Sequence, residues 1–204
     1  MESTDEKNIT FSEKQSLETI TEAIATSKRK LMDDGILLFS WGLAFSISNF
    51  WKYYESVVLT AWWLRNIMNA MQWIMGSGVI VLTGYFIFFR KSKVTTTTAI
   101  STRFVWIGII LAHNIVVIIT KNFLHEVNFA LLHPLQMVFI GFALFVTGGI
   151  YRYWLLVAGG VIMWIAASIA ANYDLNMQFM IRSIADVICF IIPGFFMIQS
   201  KKKC

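Results

Sequence analysis

Residues 129–150 read FALLHPLQMVFIGFALFVTGGI, an apolar run without a single Asp, Glu, Lys or Arg. A helix needs about 20 predominantly apolar residues to cross a bilayer whose hydrocarbon core is about 30 Å thick. This stretch has that length, and it lacks the polar face that an amphipathic helix of a soluble protein turns to water. Inside lipid the backbone must satisfy its own N–H and C=O groups, so a run of this kind is a helix.

Five further runs repeat the pattern. Gly35–Trp51, Ala70–Phe89 and Ala99–Thr120 come before it, and Trp154–Ala171 and Met177–Ile198 come after. Only 14% of the chain is charged, against about 25% in ordinary soluble domains. One soluble core of this size could not hide so much apolar surface. The expected fold is all-α: a polytopic bundle of six transmembrane helices, arranged as three hairpins over residues 32–204, after a cytoplasmic segment 1–31. Between the first two runs, Val57–Leu64 is too short to span and carries Trp62 and Trp63. Paired tryptophans suit the headgroup region, so residues 55–69 are expected to form an outer interfacial loop or short helix.

The basic residues set the orientation. Lys52, Arg65, Lys121 and Arg182 fall at the outer ends if the N-terminus lies inside, and the other 13 of the 17 Lys and Arg fall on inner segments. That bias obeys the positive-inside rule and places both termini in the cytoplasm. The net charge of +5 is therefore a topology signal, and no nucleic-acid partner is expected. Residues 1–30 are polar and acidic, unlike a cleavable signal peptide. Cys189 sits inside an apolar run and Cys204 is the last residue, so neither a disulfide nor a metal site is expected.

Within the first segment, Thr10-Phe-Ser-Glu13 reads as a capping box, and Leu17, Ile20, Ile24 and Leu31 recur at helical spacing. An amphipathic helix is expected from about Phe11 to Lys30. Glu2, Asp5, Glu6, Glu13, Glu18 and Glu22 against Lys7 and Lys14 give residues 1–27 a net charge of −4. An anionic leaflet repels such a helix, so the narrow stripe of Leu17, Ile20 and Ile24 suits another helix, from a second copy or a cytoplasmic partner.

The even-numbered runs end alike: Thr83-Gly84 before Arg90, Thr147-Gly148 before Arg152, and Pro193-Gly194 before Lys201. Related hairpins and common span-end chemistry both account for this echo. Gly76, Gly78 and Gly84 on the second span, and Gly159, Gly160, Ala166 and Ala170 on the fifth, have the small-residue spacing that permits close helix approach.

Several segments together resemble a family of uncharacterised six-span membrane proteins common in Bacteroidetes. They are Ser27-Lys-Arg-Lys-Leu31, Ser40-Trp-Gly42, Phe104-Val-Trp-Ile-Gly108, Gly148-Gly-Ile150, Gly159-Gly-Val-Ile-Met-Trp164 and Ile191-Ile-Pro-Gly194. The resemblance covers most of the chain from about Leu17 onward. The chain is more loosely similar to small three-hairpin membrane proteins of the acid-resistance type. The resemblance implies an inner-membrane location and a six-helix fold, and it carries no activity and no functional residues.

Polar and ionisable groups within spans are costly and default to a functional reading. His113 and Asn114 lie in the third span, His133 and Gln136 in the fourth, and Arg182 and Asp186 in the sixth. Chain direction puts all six in the outer half of the membrane, where they converge if those spans are neighbours. One reading is a site for a proton, a cation or a small ligand. The other is structural: Arg182 and Asp186 neutralise each other one turn apart, His113 and Asn114 act as hydrogen-bonding glue, and His133 sits where Pro134 disturbs the backbone. Two histidines on facing helices are also a haem-ligand pattern, but nothing singles it out, and no cofactor is expected. No nucleophile–base pair or phosphate loop stands out. The expected function is a non-enzymatic inner-membrane module that anchors or signals to a cytoplasmic partner, or self-associates, through its N-terminal helix. The alternative is a small transporter or channel that uses the polar cluster of spans three, four and six.

Overall fold

The computed structural model describes residues 35–57, 62–85, 97–125 and 128–199. The amphipathic segment from Phe11 to Lys30, with Leu17, Ile20 and Ile24, lies outside them, as do residues 86–96 and 200–204. Helices make up the described chain, and no strand occurs among those residues. The first helix, α1, covers residues 35–57. It is followed by α2 (Trp62–Gly84), α3 (Thr97–Leu124), α4 (Phe129–Tyr151), α5 (Trp154–Ala170) and α6 (Leu175–Asp186). A π-helical turn at Val187–Ile191 joins α6 to α7 (Ile192–Gln199). Four stretches are long and apolar enough to cross a membrane: Trp62–Gly84, Ile100–Phe123, Phe129–Tyr151 and Leu175–Gln199. Helix α5 is apolar but shorter, at 17 residues. The protein is thus a helical membrane bundle.

The second span departs from its expected bounds. Instead of an interfacial segment over 55–69 and a span from Ala70, α1 continues through residue 57 and α2 begins at Trp62. Arg65, Asn66 and Asn69 interrupt the apolar pattern without interrupting the helix. Arg65 and Asn69 serve the hairpin instead: Arg65 Nε lies 3.2 Å from Glu55, Lys52 Nζ lies 3.0 Å from Glu55, and Lys52 donates to Asn69 at 3.3 Å. Farther along the same antiparallel pair, Gln72 donates to the Ser48 carbonyl and Trp41 Nε1 to Thr83 Oγ1, both at 3.0 Å.

The core lies in the second half of the chain. Met137, Leu144, Leu156, Met163, Cys189 and Phe190 are buried between α4, α5 and the α6–α7 helix. Helices α4 and α5 form a tight hairpin. Arg152 adopts the left-handed conformation (φ 53°) and its N–H reaches the carbonyls of Gly148 and Gly149, in the place glycine commonly takes at a helix C-terminus. Gly141 and Gly160 let the two backbones meet: a Cβ on Gly160 would sit 2.7 Å from the Gly141 carbonyl oxygen and from Phe145 N. Beside them, Trp164 Nε1 donates to the Val138 carbonyl at 3.0 Å.

Helix α1 lies antiparallel on α6–α7. A Cβ on Gly42 would come within 2.6 Å of Phe190 Cβ, and one on Gly35 within 2.8 Å of Met197 Cβ. Residues 35 and 197 therefore sit at the same end of the bundle. Pro193 has no N–H for the carbonyl of Cys189, four residues earlier, and its ring crowds that carbonyl. The widened π turn at Val187–Ile191 contains that carbonyl, and the Ile192 N–H bonds to Val187 O instead.

Helices α2 and α3 are peripheral. Val79 is the buried residue of α2, and on α3 Thr120 alone is buried among the described side chains. The expectation that Gly76, Gly78 and Gly84 mediate close packing is not met, because no described atom lies within 4 Å of a Cβ built on any of them. On α5 the small residues do pack: Gly159 faces Cys189, Gly160 faces Gly141, and Ala170 is fully buried. The echo of span ends divides in the same way. Gly148 abuts Val157 and Gly194 abuts Phe39, whereas Gly84 abuts nothing described.

Candidate functional site

In α1, Ser46 and Asn49 are three residues apart and so share one face. In α6, Ser183 and Asp186 have the same spacing, and the two faces meet. Ser46 Oγ lies 3.2 Å from Ser183 Oγ and 3.1 Å from the Ser183 carbonyl oxygen, while Ser183 Oγ donates to the Ser46 carbonyl at 2.9 Å. Asn49 Nδ2 donates to Asp186 Oδ2 at 3.0 Å and to its own helix at Phe45 O. Arg182 precedes Asp186 by one turn, with Nε 3.7 Å from Oδ2. Its Nη1 donates to Gln136 Oε1 on α4, and its guanidinium carbon lies 5.9 Å from the centre of the Phe45 ring.

This ion pair is dry: Arg182 is 4% exposed and Asp186 0%. Asp186 falls near the middle of the 25-residue span Leu175–Gln199. Removing two charges from water costs several kcal/mol per ion, and their attraction offsets that only when further hydrogen bonds complete the site. Those bonds arrive from other helices, through Asn49 of α1 and Gln136 of α4. The pair on α6 thereby ties three helices together at mid-membrane, where a loose polar group has no water to turn to.

Some polar capacity is left over. Asp186 Oδ1, Arg182 Nε, both His133 nitrogens and Gln178 Oε1 are enclosed without a hydrogen-bond partner among the described residues. The His133 ring stands edge-on to Phe179 of α6 at 4.9 Å. Gln178, in the first turn of α6, donates to the carbonyls of Ala130 and Tyr173, both at 3.0 Å, and so pins the start of α6 to the start of α4.

Of the residues picked out by sequence, Gln136, Arg182 and Asp186 come together, and His133 packs against the same helix one turn farther out. His113 is half-buried, with Nδ1 enclosed and without a hydrogen-bond partner among the described residues. Asn114 does not join the cluster. It is exposed on the outside of α3, and its amide donates to its own helix at Ile110 O, at 2.7 Å. Sequence reading misses Ser46, Asn49, Ser183 and Gln178. A signal for the first three exists: Ser46–Asn49 and Ser183–Asp186 are matching polar pairs at the same spacing in the first and last apolar runs.

Chemically, the arrangement neutralises a charge pair and joins helices, and it retains one carboxylate oxygen able to accept another hydrogen bond. Among the described residues, no three His, Cys, Asp or Glu side chains gather as a metal-binding set. Comparison with family models, with curated proteins and with solved structures finds no match to this chain.

Proposed function

We propose that this protein is a six-span, non-enzymatic module of the inner membrane, with both termini in the cytoplasm, that engages a cytoplasmic partner through residues 1–31. The observation that carries the reading is the inward closure of the polar cluster. Asn49, Asp186, Arg182 and Gln136 bind one another across α1, α4 and α6, as a packing device does, and leave one carboxylate oxygen of Asp186 over. The antiparallel seating of Gly35 against Met197 supports an even number of crossings. The bias of basic residues supports the inside assignment. The proposed family relationship to six-span Bacteroidetes proteins agrees with this topology.

The topology has a direct test. Single cysteines at Ser92 and Ser200, in a Cys204→Ser background, should resist a membrane-impermeant thiol reagent in intact cells, and one at Asn122 should react. Labelling at Ser92 without permeabilisation would overturn the six-span arrangement.

A second reading, transport of a proton or cation, is favoured by one specific feature. The π turn Val187–Ile191 begins directly after Asp186, whose Oδ1 is enclosed without a hydrogen-bond partner among the described residues, and π turns occur frequently at functional sites. Two measurements on the full chain separate the readings. In sealed proteoliposomes under a pH or potassium gradient, the module should leak no faster than empty vesicles. In native mass measurement, Leu17→Asp/Ile24→Asp should lose the species that co-purifies with the parent. A flux that Asp186→Asn abolishes, together with an unchanged co-purifying species in the double variant, would replace the module with a transporter.

A further inference from the structure

Helix α3 has two faces that each recur every seven residues. Trp106, His113 and Thr120 turn toward the bundle: Trp106 packs against the core and meets Phe190 at 6.4 Å, His113 is half-buried and Thr120 is buried. Ile100, Phe104, Ile107, Leu111, Asn114 and Ile118 turn away from it, separated by alternating steps of four and three residues. The five apolar members are 43% to 71% exposed. These residues run along one side of the helix, flanked by Ile110, Ile115 and Ile119, which are also exposed.

One member of the outward face is polar. Asn114 lies well inside the 24-residue span Ile100–Phe123, roughly ten residues from its outer end, and so at about 15 Å depth at 1.5 Å per residue. Its amide nitrogen satisfies one donor on Ile110 O, while the side-chain oxygen and the second N–H are exposed to whatever covers the face. Lipid tails offer neither donor nor acceptor. A second asparagine offers both, and a twofold axis along the membrane normal brings Asn114 opposite Asn114, since a twofold interface apposes the same patch from each copy. Gly108, also on the outer side of α3 and with no described atom within 4 Å of a built Cβ, adds no bulk that would hold the helices apart.

We infer that the outward face of α3 is the seam of a homodimer, in which Leu111 and its seven-residue neighbours pack across the axis and paired Asn114 amides fix the register. Polar residues joining transmembrane helices act in this way. The occupant is a second copy of this chain because the face is self-complementary, with one amide able both to give and to accept at the same depth. This association is separate from any contact made by residues 1–31.

The test uses the full chain in native membranes at low expression, in a Cys204→Ser background where buried Cys189 supplies the blank. Leu111→Cys should form an oxidative dimer at least tenfold faster than Ile165→Cys, a comparably exposed position on α5. Asn114→Leu should weaken dimerisation in detergent about tenfold with unchanged thermal unfolding of the monomer, and Asn114→Gln should recover part of the loss. Equal crosslinking at residues 111 and 165, or a dimer unaffected by Asn114→Leu, overturns the seam and leaves α3 facing lipid. A dimer lost through Leu17→Asp/Ile24→Asp while Leu111→Cys gives no crosslink assigns self-association to the N-terminal segment instead.

Discussion

Arg182→Met should lower unfolding stability by about 3–5 kcal/mol, because it leaves a carboxylate buried without its counter-charge. Asp186 is fully enclosed, and Asn49 alone would remain as its described hydrogen-bond donor. Gln136 would lose the donor to its side-chain oxygen in the same step. The informative comparison is the double variant Arg182→Met/Asp186→Leu, which removes both charges and preserves bulk. Replacing a whole buried pair with apolar residues is often neutral or stabilising by about 1–4 kcal/mol, so the double variant should recover most of the loss. Denaturant unfolding in detergent across the four-member cycle measures the coupling. A single-variant loss under about 1 kcal/mol would mean that the pair behaves as a solvated surface bridge, and the mid-membrane tie between α1, α4 and α6 would fail with it.

The ion pair is legible in the amino-acid sequence, because two opposite charges one helical turn apart inside an apolar run have few places to go. Gln136 is legible as a polar amide inside an apolar run, where it needs a partner. Asn49 and Ser46 are harder to read, since small polar residues interrupt many apolar runs and what marks this pair is the matching spacing of Ser183 and Asp186. Asn114 sits next to His113 in the chain and invites the same role, yet adjacent helical residues project about 100° apart. A helix that turns His113 inward must turn Asn114 elsewhere. The start of α2 is hidden for a different reason: Arg65, Asn66 and Asn69 look like a chain leaving the membrane, whereas Arg65 and Asn69 bind side chains on the neighbouring α1. The glycines of α2 and α5 look alike in sequence. Burial separates them, and burial depends on which helices surround each one.

That difference sets up the second large effect. Gly160→Leu should destabilise the protein by about 3 kcal/mol, the upper end of ordinary overpacking costs. The new Cβ would lie 2.7 Å from the Gly141 carbonyl oxygen and Phe145 N, and 2.8 Å from Phe145 Cβ. Backbone atoms cannot swing aside as a side-chain tip can, so α4 and α5 must separate. Separation also stretches the Trp164–Val138 hydrogen bond and loosens the layer of Leu144, Leu156 and Met163 that holds α6. Gly78→Leu inserts the same group where no described atom lies within 4 Å. It should change stability by no more than about 0.5 kcal/mol as an exposed substitution, or raise it slightly because leucine favours a helix by most of the roughly 1 kcal/mol that glycine loses. Denaturant unfolding of both variants in the same detergent separates close helix approach from mere small-residue spacing. Equal losses at residues 160 and 78 would show that α2 is packed as tightly as α5, against a surface such as a second copy, and a negligible loss at 160 would remove the α4–α5 contact as the centre of the bundle.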